Sequence, residues 1–149
     1  MIHYCLAVFC TAVVASKTTK LVEHRVSVCE DVAVEAIMQN VDPVLAVSVA
    51  WQESSFLRNA KSSKGAVGPM QVLPRFWCKE KKCNLVKAGI DALKYYTTRY
   101  GTRPGLCAYF SGKTCSRSSK SSDRYQRSVM QTYNEFMKHW DVPCGELGC

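Results

Sequence analysis

Asp42-Pro43-Val44-Leu45-Ala46-Val47-Ser48-Val49-Ala50-Trp51-Gln52-Glu53-Ser54-Ser55-Phe56 joins a helix start, an apolar run and one carboxyl group near its end. Asp42 is a capping residue type, and Pro43 suits the first helical position, where a missing N–H costs nothing. Val44, Leu45, Val47, Ser48, Ala50 and Trp51 then present a small or apolar surface almost all the way round, the mark of a buried helix. Such a helix delivers Glu53 at its carboxyl end. A carboxyl held there loses solvent, its pKa rises, and it can stay protonated near neutral pH.

Outward from this helix the pattern stays helical. Val32, Ala33, Ala36 and Ile37 recur at helical spacing between Glu30 and Asn40. Residues 58–74 hold Gly65, Gly68 and Pro69, with Pro74 at the end, and read as loop or short irregular sheet. Leu85, Ala88, Gly89, Ala92, Leu93 and Tyr96 predict a helix over 85–100, closed by Gly101 and Pro104. A short apolar segment, 106–110, follows. Residues 116–122 read as a mobile loop, and Tyr125, Val129, Tyr133, Phe136 and Met137 predict a last helix over 123–140.

The 149 residues suffice for one core of ordinary size. Twenty Lys and Arg against 12 Asp and Glu give a formal charge of +8, which favours polyanionic partners: nucleic acid, anionic lipid or an acidic wall polymer. No helix-turn-helix, basic-aromatic strand platform or metal-finger spacing is present, so nucleic acid is not expected. Tyr4 to Ala15 has the length of a signal-peptide core, and Val13-Val14-Ala15 offers small or branched residues for cleavage. Residues 1–16 are therefore expected to be a leader removed on export, with an uncleaved anchor or a buried amino-terminal helix as the alternatives. Nine cysteines also fit an oxidising compartment. Loss of Cys5 and Cys10 with the leader leaves seven, an odd number. Local spacing suggests Cys78 with Cys83, Cys107 with Cys115, and Cys144 with Cys149. No Cys-x-x-Cys occurs, and His3, His24 and His139 are scattered, so neither metal nor cofactor is expected.

After Glu53 no Asp or Glu occurs until Glu80. Most glycoside-cleaving enzymes need two carboxyl groups, so one that stands alone needs different chemistry. Four further segments accompany it: Ser62-x-x-Gly65-Ala66-x-Gly68-x-Met70-Gln71, Asn84-x-x-x-Ala88-Gly89-x-x-x-Leu93, Tyr100-Gly101 and Ala108-Tyr109-x-x-Gly112. In order and spacing, from about Asp42 to Trp140, the chain resembles the soluble lytic transglycosylase family, relatives of goose-type lysozyme.

The resemblance implies a mainly α, lysozyme-like (α+β) single domain, disulfide-stapled, with a deep cleft. It divides the chain into the leader, a helical extension over 17–41, a transglycosylase domain over 42–140 and a cysteine-containing tail over 141–149. It implies cleavage of the MurNAc-β-1,4-GlcNAc bond of peptidoglycan. Glu53 acts first as acid and then as base, and the muramic acid C6 hydroxyl closes a 1,6-anhydro ring. Ser54, Ser62, Gly68, Met70, Gln71 and Tyr109 match the substrate-binding positions; the Met-Gln pair lines the cleft, and the Tyr109 hydroxyl orients the carboxyl. The competing readings are a muramidase-type hydrolase, recruiting Asp91 or Asp123 as a second carboxylate or letting water compete with the C6 hydroxyl, and a non-catalytic wall-binding assembly protein.

The implied setting is an exported monomer, periplasmic or secreted, without a stable membrane span after processing. It would act on glycan strands for secretion, conjugation or phage assembly, with a virion-associated location as the alternative. Two positions depart from the family pattern. Phe110 stands where an Asn is usual, so the amide expected after the tyrosine is absent. Pro69 replaces the commoner Leu, stiffening the loop and removing an N–H donor.

Overall fold

The computed structural model describes residues 2–19, 22–117 and 119–140. Among these residues seven helices follow in order: α1 (Ile2–Lys17), α2 (Glu23–Met38), α3 (Pro43–Ser54), the short α4 (Pro74–Trp77), α5 (Leu85–Tyr100), α6 (Thr102–Ser111) and α7 (Lys120–Trp140), with one 3-10 turn at Cys115–Arg117. Among the described residues, extended structure is confined to isolated antiparallel bridges of Val67 with Lys61 and Val72. The chain is thus mainly helical, and the segment after Glu53 is the irregular loop that its Gly and Pro content predicts.

α3 is the axis of the core. Every residue from Val44 to Ala50 is buried, and α2 and α7 pack against the helix. Asp42 starts it as expected: its Oδ1 accepts from the N–H groups of Val44 at 2.9 Å and Leu45 at 3.2 Å. Burying seven consecutive side chains leaves one helix unable to slide or rotate, which fixes where its last turn delivers Glu53.

Three elements differ from the sequence expectation. Pro104 does not end a helix but sits in the first turn of α6, where its missing N–H is tolerated; Gly101, at φ 83°, makes the corner between α5 and α6. Gly105 has no room for a side chain, since a Cβ there would lie 2.8 Å from the Thr97 Cα, so α5 and α6 meet backbone to backbone. The 116–122 region is shorter as a loop than expected, because the 3-10 turn takes its start and α7 begins at Lys120.

Residues 1–16 are expected as a leader; residues 2–17 form α1, which packs into the core. Cys5, Leu6, Phe9, Cys10, Val13 and Val14 are all buried. Phe9 meets Trp140 of α7 edge to face at 5.0 Å, and Lys17 pairs with Glu135. Cys10 is bonded to Cys29 of α2, which ties α1 to the rest of the chain. Cys5 is also disulfide-bonded. Cys78–Cys83 and Cys107–Cys115 form as spacing suggested, whereas the suggested Cys144–Cys149 pair lies outside the described residues. No helix among the described residues is long and apolar enough to cross a membrane.

Candidate active site

Glu53 occupies the last turn of α3, and the chain turns sharply just beyond it. Ser55 and Phe56 both take positive φ, 53° and 62°, a conformation costing side-chain-bearing residues roughly 1–2 kcal/mol each. Four contacts hold this turn. Phe56 is completely buried and packs on Trp51 at 5.4 Å, and Arg25 of α2 donates to the Ser55 carbonyl. Ser54 donates to the Pro69 carbonyl at 2.7 Å and accepts from Leu57 N–H at 3.1 Å. Ser54 therefore ties the helix end to the glycine loop and is not among the cleft-lining residues.

Glu53 opens into a cleft of about 620 Å³ whose wall includes Ser62, Gln71, Trp77, Tyr96, Tyr109 and Phe110. Among the described residues no second carboxyl lines it. Burial raises the Glu53 carboxyl from 4.5 to about 7, and a hydrogen bond from the Tyr125 hydroxyl to Oε1 at 2.6 Å partly opposes the rise. The negative end of the α3 dipole acts in the same direction as burial. At neutral pH the group is divided between acid and carboxylate, as a group that gives and then retakes a proton requires.

The phenol that holds Glu53 is Tyr125, on α7. Tyr109 instead donates to the Met70 carbonyl at 2.6 Å. Sequence reasoning assigned the orienting role to Tyr109 because that residue lies in the recognised motif, and placed Tyr125 only in a helical apolar stripe. No local signal separates a stripe tyrosine that packs from one that reaches across to α3; the packing of α7 on α3 makes the difference. Burial pushes both phenols well above 10, so they stay neutral while Glu53 titrates.

The other expected residues divide between the cleft and its support. Ser62 and Gln71 line the cleft. The Ser62 hydroxyl accepts from Ala66 N–H at 3.1 Å. The Gln71 amide nitrogen donates to the carbonyls of Ala60 at 3.1 Å and Gly68 at 2.9 Å, so this side chain braces the loop. Met70, expected to line the cleft, is instead completely buried, and its side chain fills the space over Gly89, where a Cβ would lie 2.6 Å from it. Gly68 is likewise structural. It takes φ 81°, and a Cβ there would lie 2.8 Å from that of Leu85, so its lack of a side chain lets the loop seat on α5.

Aromatic rings continue along the cleft. Tyr96 meets Trp77 at 5.9 Å and Tyr109 at 6.3 Å, edge to face. Phe110 stacks on Tyr125 with centroids 4.7 Å apart and planes 25° apart. Lys64 is a cation on the same wall. Among the described residues no His, Cys, Asp and Glu gather in a group able to hold a metal ion.

The transglycosylase SLT domain model matches residues 32–131, a span of two-thirds of the chain, from within α2 to within α7. The chain belongs to the transglycosylase SLT domain family. A search of curated proteins finds no significant match. Among solved structures, an inactive Glu-to-Gln mutant of the lytic transglycosylase Slt from Pseudomonas aeruginosa is similar in fold, with a TM-score of 0.63 at 18% identity. The alignment covers 75% of this chain and 24% of that one, so this chain corresponds to about a quarter of the longer protein. The SLT-domain match includes Glu53, the 58–74 loop, Tyr109 and Tyr125; α1 and the start of α2 precede it.

Proposed function

We propose that this protein is a peptidoglycan lytic transglycosylase that uses Glu53 as its single acid and base. Glu53 in its acid form protonates the glycosidic oxygen between N-acetylmuramic acid and N-acetylglucosamine. As carboxylate it then takes the proton of the muramic acid C6 hydroxyl, whose oxygen bonds to C1 and closes the 1,6-anhydro ring. The proton is returned and no water is consumed. The observation that carries this reading is a lone cleft carboxyl raised to about 7 by burial and held by one phenol. Further support comes from the Pseudomonas protein, described as inactive after a glutamate-to-glutamine change.

Two-carboxylate hydrolysis draws no support from the candidate residues. Asp91 pairs with Lys87 and lines a different cavity, and Asp123 pairs with Arg127 on α7. A non-catalytic wall-binding role leaves unexplained why the cleft carboxyl is buried where its ionisation is disfavoured. Gln71 and Ser62 contact the sugar chain, Gln71 through its amide oxygen because its nitrogen is committed to the loop. The aromatic rings of Trp77, Tyr96 and Tyr109 flank the sugar faces.

The proposed place of action is the cell wall, reached by export. There the excess of basic residues concentrates the protein on an anionic polymer. It acts as a monomer, opening the wall locally for a secretion, conjugation or phage machine. Cleavage after Ala15 would take Leu6, Phe9, Cys10 and Val13 out of the core, so the amino terminus of the mature protein, read by mass spectrometry, decides whether α1 stays. The deciding experiment for the chemistry is mass spectrometry of products from purified sacculi. Anhydro-muropeptides are expected; reducing muramic acid ends overturn the transglycosylase reading.

A further inference from the structure

Phe110 is the cleft residue at which this chain departs from its family's pattern, and its surroundings assign it work that an amide cannot do. It lies near the end of α6, 48% exposed, with one ring face stacked on Tyr125 and the rest of the side chain lining the cleft. Tyr125 is only 8% exposed, and its hydroxyl is the hydrogen-bond donor to Glu53. A residue serving only as core filling would be covered on both faces; this one has a covered face toward Tyr125 and an open flank toward the cleft. A phenyl ring there offers neither donor nor acceptor to water, whereas an Asn would bring both.

We propose that Phe110 is a positioning residue that keeps cleft water off the Tyr125–Glu53 hydrogen bond. This rests on the reading of Glu53 as the catalytic acid. The chain of contacts is direct: Phe110 covers the Tyr125 ring, and Tyr125 holds the carboxyl. Tyr125 from α7 and Tyr109 from α6 lie close enough to feel the Glu53 charge, Tyr96 from α5 and Lys64 from the glycine loop line the same cleft, and Arg25 of α2 is engaged by the Ser55 carbonyl. The first three are phenols whose raised pKa values keep them neutral through the range in which Glu53 titrates. Water access is therefore the variable that Phe110 controls. Since burial is the larger influence on Glu53, and the Tyr125 bond the smaller and opposite one, admitting water moves the carboxyl down toward its ordinary range.

The test uses the full chain with Phe110→Ala, which opens the site, and Phe110→Tyr, which keeps the stacked ring. Because Phe110 is half exposed, both variants are expected to fold, checked by circular dichroism. Release of soluble fragments from purified sacculi is followed from pH 5 to 9. In parallel the Glu53 carboxyl is titrated by ¹³C NMR, its signal identified by its loss in Glu53→Gln. In Phe110→Ala the fall in kcat at high pH, and the NMR midpoint, are expected to move down by about one unit, with Phe110→Tyr matching the wild type. An unmoved or raised midpoint in Phe110→Ala, or an equal shift in Phe110→Tyr, overturns the proposal; a change confined to KM makes Phe110 a substrate contact instead. The NMR titration reads the shielding without turnover. Undiminished cleavage by Glu53→Gln therefore defeats the assignment of Glu53 while the titration still decides the role of Phe110.

Discussion

The two ends of α3 each carry a carboxyl group that accepts a hydrogen bond from a tyrosine of α7, yet they do different work. Asp42, at the amino end, accepts from two backbone N–H groups and from the Tyr133 hydroxyl at 2.9 Å, and it is exposed. Glu53, at the carboxyl end, accepts from Tyr125 and faces the cleft with its solvent largely stripped away. At the first end the unpaired N–H groups and the positive end of the helix dipole welcome a carboxylate. At the second end nothing comparable is present, and the protonated form is favoured. A carboxylate thus stabilises the fold at one end, while a carboxylic acid is prepared for proton transfer at the other.

This contrast is broken most directly by Glu53→Gln. Turnover on sacculi is expected to fall by at least about 10²-fold, the usual contribution of a positioned acid or base. Asp42→Asn should leave turnover per folded molecule unchanged. Equal losses from both substitutions would erase the distinction.

Substitutions at the same two residues move stability the other way. The folded Glu53 carboxyl, raised to about 7, binds its proton more tightly than the unfolded one. Its penalty is therefore absent at low pH and grows as pH rises from about 4.5 to 7. Glu53→Gln removes that penalty, and urea unfolding at pH 8 is expected to show it about 1–3 kcal/mol more stable than the wild type, with no such gain at pH 4. Asp42→Ala loses the cap and should cost about 1 kcal/mol at pH 8.

The pH profile sharpens the contrast further. Wild-type kcat should decline above a midpoint near 7, as the acid form is lost. Tyr125→Phe removes the hydrogen bond that lowers the Glu53 pKa, so its midpoint should move upward. The matching change at the other end, Tyr133→Phe, should leave the midpoint where it is. A downward move in Tyr125→Phe would mean that water, rather than burial, takes the place of the phenol.

Much of this molecule was legible from local chemistry. Asp42-Pro43 marked the start of α3, its apolar run marked the burial, and Gly101 marked the end of α5, because caps and periodicity act over one or two turns. The rise in the Glu53 pKa followed from the same run. Side-chain destinations across the core were less accessible. Met70 and Gly68 belong to the motif yet support the loop against α5, and the Tyr109 hydroxyl goes to the Met70 carbonyl. A motif records that positions are required together, without saying which of them touch substrate and which hold the ones that do.

The amino-terminal segment shows the same limit. A run such as Tyr4 to Ala15 has the composition of a leader and of a buried helix alike, since both need an apolar stretch. Only the placement of Phe9 against Trp140 and Cys10 against Cys29 sets it into the core.

The sequence by itself determined a helical chain, a solitary acid at the end of a buried helix and the family to which that arrangement belongs, because each is written in short-range patterns. The tertiary structure alone decided that Tyr125 holds Glu53, that Phe110 covers Tyr125 and that α1 joins the core. Those are contacts between segments distant along the chain, selected by shape and burial when the helices pack.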